Sequence, residues 1–532
     1  MAIAAAVLLS YGSDLTFFQD SWEYLMNRRD PSAATLLDPH NEHIVLIPVL
    51  ISQLSLHVFG MDSILPELVV LVALLLGAAG CLFVYVRRRL GPWPALSMAV
   101  LLLFLGPAWQ DLLWPFQMGF AGAALCGLAG LLALEDEGAA RDRLACALLV
   151  LSILFSSLGL PFAVAAVVEV LLARRQLGLR RLYVAAVPLL VYGAWYAGWG
   201  HTAPNQLSAD NVLGSPGYVW EGVTASLDSA LALGTIFGEV VGRSQWGASL
   251  LIALLVLVAY GQLRRPGFPR GLWPVLAAAA TFWFLAAFNT IPGREPYSSR
   301  YLYVGVFFLL LVAANLLQGV RLNRWALATA AALTVVVAGF NLVPLREGKD
   351  FFEEQTILTR GDLGAIEIAE RTVEPTFTLA SPEVAGTVFL GEVEAGEYLQ
   401  AVREHGSPAY SPAELATAPE AGRRQADLVL ANALPLAIET GLPAGPSAGR
   451  CLDLGAEEAG ELSLQPGVTT IHLGAGRSGA VRLRRFARGE YPLASEDIPA
   501  GTTTRLYIPR DRSSRQWVLQ LEAAAGSTVC RG

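Results

Sequence analysis

Lysine is almost missing from this chain. Its 532 residues contain one, Lys349, and only 15% of the residues carry a charge. The first 345 residues hold 19 Arg and 19 acids, so there is no basic stripe to neutralise phosphates, and nucleic acid is not expected as a partner. Cysteine is also scarce, with five residues and no Cys-x-x-Cys spacing, which leaves no metal-binding signature. Three of them, Cys81, Cys126 and Cys146, lie in apolar runs, where a thiol behaves as a small core residue. Polar stretches are few as well. At 54% hydrophobic with mean hydropathy +0.49, the chain is too apolar for an ordinary soluble globule and reads as an integral membrane protein.

Runs of apolar residues near 64–86, 94–110, 115–134, 143–157, 159–173, 181–199, 246–262, 271–288, 299–318 and 325–343 fit membrane spans. With the short opening run Ala2 to Leu9, they predict about eleven. No basic residue precedes that run, so it is a first span rather than a signal peptide. Arg87-Arg88-Arg89, Arg141 with Arg143, Arg174-Arg175 with Arg180-Arg181, Arg264-Arg265 with Arg270, and Arg321 with Arg324 then fall on one side, the cytoplasm. This requires 44–59 and 219–241, both interrupted by polar residues, to lie along the outer surface. An odd span count from a cytoplasmic N-terminus places residues 346–532 outside.

That C-terminal region carries the whole net charge of −8, with 18 bases against 26 acids. Residues 350–440 read as mixed and largely helical, with helices at Gly361 to Arg371 and Gly396 to His405. From Cys451 the pattern becomes short alternating runs, among them Thr470-Ile471-His472-Leu473, Val481-Arg482-Leu483 and Trp517-Val518-Leu519-Gln520-Leu521. These predict a small antiparallel β-sandwich. Cys451 and Cys530 bracket it, as a disulfide in an oxidising compartment, contributing about 4 kcal/mol through loop entropy, or as two unrelated buried thiols. Gly474-Ala475-Gly476-Arg477-Ser478-Gly479 matches G-x-G-x-x-G, but a strand pattern follows it, so it reads as a hairpin turn and not a dinucleotide site. The domains expected are 1–345, a transmembrane domain with a catalytic first outer loop 12–63, then 346–448, mixed and largely helical, and 449–532, the sandwich.

The first outer loop carries the functional signal. It holds Phe17-Phe18-Gln19-Asp20-Ser21-Trp22, then His40-Asn41-Glu42-His43, an apolar surface helix ending Phe59-Gly60, and a span closing with Arg87-Arg88-Arg89. This order resembles the GT-C glycosyltransferases of the protein O-mannosyltransferase and aminoarabinose-transferase type. Members of that group carry an acidic pair at the first motif, where this chain has Gln19-Asp20. The resemblance implies a GT-C-like polytopic α-helical membrane protein with an extracytoplasmic α+β region. It also implies an activity, transfer of a sugar from a polyprenyl-phosphate carrier to an extracytoplasmic hydroxyl, with inversion, in the synthesis of cell-envelope glycans. The expected partners are the lipid-linked sugar, membrane lipid and a glycan or glycoprotein acceptor.

Because the leaving group is already a stabilised phosphate, such a reaction needs a base for the acceptor hydroxyl and cations for the phosphate. Asp20, desolvated among aromatics at the membrane surface, is the candidate base; its position also suits a helix cap. His40 and His43, on one face of a helical turn, are candidates for substrate or a divalent metal, alongside Glu42. Arg294, Arg300 and Tyr301 stand at the outer entrance of a late span as donor-phosphate ligands or interfacial anchors. Asp111, with Trp109, Trp114, Trp195, Tyr196, Trp199 and His201, is placed for sugar contact or in the aromatic belt. Two other classes compete: a transporter or flippase for a lipid-linked or glycan substrate, and a non-catalytic glycan-binding assembly protein. A transporter would place ionisable residues at the midplane, where Glu169 near Arg174 is the closest candidate.

Overall fold

The structure is a computed structural model describing residues 1–532 apart from 241, 265–266, 321–322, 380–389, 391–392, 435, 444–449, 454–459, 474–478, 489–491, 523–527 and 532. The glycine-rich residues 474–478 thus lie outside the described residues, and Gly479 opens a strand. Two compact units emerge: Met1–Asp14, Arg28–Ser55 and Ile64–Phe351 form the first, and Leu15–Asn27, Leu56–Ser63 and Phe352–Gly532 the second. The first loop is therefore divided between them.

The first unit is an apolar helical bundle, and the chain is a membrane protein. Five of the described helices are long and apolar enough to cross a bilayer: Leu65–Leu90, Pro115–Glu135, Gln245–Leu263, Ser299–Leu316 and Arg324–Ile368. Helices also occupy the other predicted stretches, among them Ala2–Gly12, Ala139–Phe155, Gly159–Leu177, Leu182–Gly198 and Leu272–Phe288. These are shorter than the roughly 20 residues a perpendicular crossing needs, so length alone does not fix the count at eleven.

The span expected at 94–110 is not straight. Pro92–Leu103 and Gly106–Leu113 meet at 45°. Pro107 lacks the amide that a continuous helix would use and disfavours helical geometry at Gly106. The break is also a contact: a Cβ on Gly106 would stand 1.7 Å from the carbonyl oxygen of Asn341, so only glycine lets the two backbones approach. The stretch predicted at 219–241 begins earlier, as Ala209–Ala230, and ends in a loop. There the buried carboxylate of Asp228 accepts the amides of Gly234 (2.9 Å) and Gly242 (2.6 Å), so its polarity organises the loop.

Helix Ser299–Leu316 ties the two ends of this bundle. At its C-terminal end Asn315 accepts from Arg89 (3.1 Å), and Arg89 also pairs with Glu135. Arg88 reaches Glu135 at 3.1 Å, Arg181 reaches Asp142 at 2.8 Å and the Leu134 carbonyl at 2.7 Å, and Arg270 reaches Glu169 at 3.4 Å. The acid expected near Arg174 is thus paired with Arg270 at this arginine-rich end. At the N-terminal end of the same helix Ser299 accepts the Gln110 amide at 3.1 Å. Eighteen residues at about 1.5 Å each separate the ends by roughly 26 Å, a bilayer core's depth.

In the second unit the helix expected at Gly361 to Arg371 is instead the continuation of Arg324–Ile368, since no proline after Pro344 interrupts the run. Ala395–His405 matches its expectation, and Glu420–Ala433 follows. Among the described residues nine strands, β1 (Ala437–Leu442), β2 (Arg450–Asp453), β3 (Gly460–Leu464), β4 (Gly467–His472), β5 (Gly479–Arg484), β6 (Leu493–Ile498), β7 (Thr503–Ile508), β8 (Trp517–Glu522) and β9 (Thr528–Arg531), form two antiparallel sheets. Their orders are β1-β7-β4-β9-β2 and β3-β8-β5-β6. Pairing begins before residue 449, because β1 lies on β7. Alternate residues Val481, Leu483, Leu519, Leu521, Leu506 and Ile508 fill the interior. Cys451 and Cys530 face each other on β2 and β9 and form a disulfide. Asp427, on helix Glu420–Ala433, accepts the amides of Arg485 (2.8 Å), Phe486 (2.9 Å) and Ala487 (3.0 Å). Burial pushes its carboxyl up to about 6 against those three donors.

Candidate active site

His40-Asn41-Glu42-His43 is a tight turn, not the helical turn expected. The amide of His40 donates to the His43 carbonyl and the reverse, both at 3.0 Å. Asn41 takes φ +51°, a left-handed conformation that asparagine tolerates, which closes the turn in two residues. The imidazoles still lie against one segment: His40 packs edge-on to Phe116 (5.0 Å) and His43 to Phe120 (5.7 Å). The turn is fixed on both flanks. The buried guanidinium of Arg28 donates to the carbonyls of Asp38 (2.8 Å) and Pro39 (3.0 Å), and the Trp195 indole donates to Leu37 (2.8 Å). Ser157 donates to the Glu42 carbonyl at 3.2 Å and accepts the Ile44 amide at 3.3 Å.

Onto this turn comes the loop before helix Ser299–Leu316. Arg294 pairs with Glu42 at 2.5 Å, both side chains largely shielded from solvent. The Arg294 carbonyl accepts from Tyr218 (3.1 Å), and Arg300 donates to the carbonyl of Gly293 (2.7 Å) while lying 5.5 Å from the Tyr301 ring centre. Gly293 holds φ +86°, where a side chain would be strained, and its amide donates to Glu295 at 3.0 Å, keeping that carboxyl below its ordinary range. Arg294 is thus a paired, largely shielded group.

Asp111 lies on the short arm Trp109–Leu113, 2% exposed, and neither carboxylate oxygen has a hydrogen-bond partner among the described residues. Arg300 is within its electrostatic reach, and it in turn acts on Tyr303, whose buried hydroxyl is also unpartnered. His43 responds to Glu42, His40, Arg294 and Arg300; burial is the main cause that pushes its pKa down to about 4, so its ring is neutral near pH 7. One end of the bundle therefore collects His40, Glu42, His43, Asp111, Arg294, Arg300 and Tyr301.

Asp20 belongs to the second unit. It immediately precedes helix Ser21–Asn27, in a turn where Gln19 adopts φ +46°. Around it the Trp22 indole donates to the Phe17 carbonyl at 3.2 Å, Trp22 meets Tyr398 at 6.3 Å between ring centres, and Phe18 meets Phe352 at 5.2 Å. The aromatic setting read from the sequence is present.

Trp195 serves the turn structurally, while Tyr196 (50% exposed) and Trp199 (37%) remain at the surface, and His201 bonds only locally to the Tyr196 carbonyl at 3.3 Å. Three contributors escaped sequence reading, Arg28, Ser157 and Tyr218, while Tyr303 closes the run Pro292 to Tyr303 that the sequence marks at the entrance of the late span. Arg28 carried a legible hint, as a basic residue inside the first loop; Ser157 and Tyr218 carried none. Among the described residues no three His, Cys, Asp or Glu side chains are grouped to hold a metal ion.

No protein-family model and no curated protein matches this chain. Among solved structures it is similar to ArnT from Cupriavidus metallidurans, both bound to undecaprenyl phosphate and in the apo state. In each case identity is 14%, with 77% of this chain and 88% of the other covered, at a TM-score of 0.46.

Proposed function

We propose that this chain is a GT-C-type membrane glycosyltransferase that moves a sugar from a polyprenyl-phosphate donor to a hydroxyl acceptor outside the cytoplasm. The observation that carries the reading is the convergence of two arginines, the turn His40 to His43 and the unpartnered Asp111 at the bundle end opposite the arginine-rich one. The positive-inside bias supports a cytoplasmic position for the arginine-rich end, and so a site facing away from the cytoplasm.

Arg300 supplies charge that a leaving phosphate needs, beside Arg294 held in place by Glu42. The acceptor oxygen attacks the anomeric carbon from the face opposite the phosphate, the bond from that carbon to the phosphate oxygen breaks, and the configuration inverts. The electron pair leaves on the lipid phosphate, and the hydroxyl proton passes to a carboxylate. Asp20 is the base that the family resemblance implies. Asp111 competes for the role because its carboxylate is buried without a hydrogen bond, a costly arrangement of the kind found at sites of chemistry. The imidazole of His43, neutral near pH 7, is left to hydrogen-bond substrate. Glu169, paired at the opposite end, gives no support to a midplane transport site.

Parallel assays of Asp20→Asn and Asp111→Asn with a polyprenyl-phosphate sugar test the assignment. The base variant loses transfer while the protein still inserts and folds; full activity in both would remove the carboxylate from the mechanism. Charge reversal at Arg300 raises the donor concentration needed, and unchanged donor dependence would return Arg300 to an anchoring role.

A further inference from the structure

The β-sandwich contains a cleft that the transfer reaction does not use. The segment Pro509 to Gln516, between β7 and β8, is folded around one buried ion pair. Arg485 donates to Asp511 with both arms of its guanidinium, at 2.6 and 2.9 Å, each side chain 3% exposed. Its Nε donates to the Arg515 carbonyl (2.9 Å), and Arg515 Nε returns a bond to the Arg485 carbonyl (2.7 Å). Asp511 also accepts the Ser513 amide at 2.8 Å. A connecting segment bonded this densely is set before any ligand arrives.

What it presents is cationic and amphipathic. The cleft, about 360 Å³, is lined by this segment with Gln465, Arg485 and Trp517. Arg485 is neutralised by Asp511, so Arg510 and Arg515, both exposed, leave the lining positive. Arg515 also lies 5.6 Å from the Phe486 ring centre. Trp517, 1% exposed, forms part of the cleft floor, with Arg485 5.6 Å from its ring centre. A volume in the range of small-ligand sites, exposed arginines for carboxylate and the amide side chains of Gln465 and Gln516 for hydroxyls together suit one chemistry.

We propose that this cleft binds a saccharide bearing carboxylates, a uronic-acid unit of an acidic glycan. The site stands apart from the transfer reaction: it would hold such a glycan whether or not the helical bundle transfers sugar.

The test is titration of the full-length detergent-solubilised protein with a short oligogalacturonate, beside its carboxyl-reduced neutral counterpart and citrate. The expected result is saturable binding of the oligogalacturonate only, weakened about tenfold or more by Arg510→Glu, as the loss of one charge-assisted hydrogen bond would do. Gln516→Ala, which removes no charge, weakens it less. Equal binding of the neutral oligomer, equal binding of citrate, no binding at all, or affinity unchanged in Arg510→Glu would each overturn the proposal. Because binding is read directly, an inactive Asp20→Asn or Asp111→Asn protein that still binds separates this site from the transferase reading.

Discussion

The two ends of the helical bundle treat charge in opposite ways. At one, Arg89, Arg181 and Arg270 each meet a carboxylate, and Arg181 spends its remaining donors on main-chain carbonyls. At the other, Arg294 is matched by Glu42, but Asp111 is buried and, among the described residues, neither its oxygens nor the Nδ1 of the half-buried His43 has a hydrogen-bond partner. Satisfied pairs hold helices in register. Unsatisfied buried groups cost free energy that folding alone does not recover, and they persist where a ligand or a proton transfer completes them.

The sharpest way to break this contrast is to remove the unpaired carboxylate. Asp111→Asn should lower transfer by about 100-fold or more, the usual contribution of a proton acceptor, while the melting temperature holds, because the amide has the shape of the carboxyl it replaces. A large loss of stability with intact turnover would place Asp111 among the structural groups. The mirror experiment is Arg181→Ala at the other end. Stranding Asp142 and the Leu134 carbonyl should cost roughly 3–5 kcal/mol in unfolding measurements, and the molecules that remain folded should transfer at the parent rate.

Smaller effects sharpen the comparison. Glu42→Gln keeps the shape of the turn but removes the partner of Arg294; the Michaelis constant for the donor should change by about tenfold with little change in turnover number, the mark of binding shared by ground and transition states. The least effect concerns protonation. The folded pKa of His43, about 4, lies below the ordinary imidazole value of 6.5, so the unfolded chain binds the proton more readily. Its contribution is fully present above pH 6.5 and is lost progressively as pH falls toward the lowered folded value. His43→Gln should flatten that part of the stability profile; an unchanged acid slope would show that the ring is charged in the fold.

Much of this was legible beforehand, and for physical reasons. Apolar runs located most of the long helices of the bundle, because burying them leaves few alternatives, and period-two alternation located β3, β4, β5, β7 and β8. His40, Glu42, His43, Asp111, Arg294, Arg300 and Tyr301 were singled out as polar groups in an apolar chain, and they do gather. Their geometry was not legible. The turn at Asn41 depends on a left-handed residue, and the bend at Gly106-Pro107 depends on a backbone contact with Asn341, more than two hundred residues away. Ser157 and Tyr218 looked like ordinary residues of apolar segments. They matter only through partners distant in sequence.

By itself the sequence determined that this chain lives in a membrane, that its charges sit at the ends of apolar helices and that a sandwich closes it. Those properties follow from composition and periodicity, which are local. Tertiary structure alone decided which charges are paired. An arginine reads the same whether its carboxylate is present or absent, and only packing brought Glu42 to Arg294 while leaving Asp111 unmet.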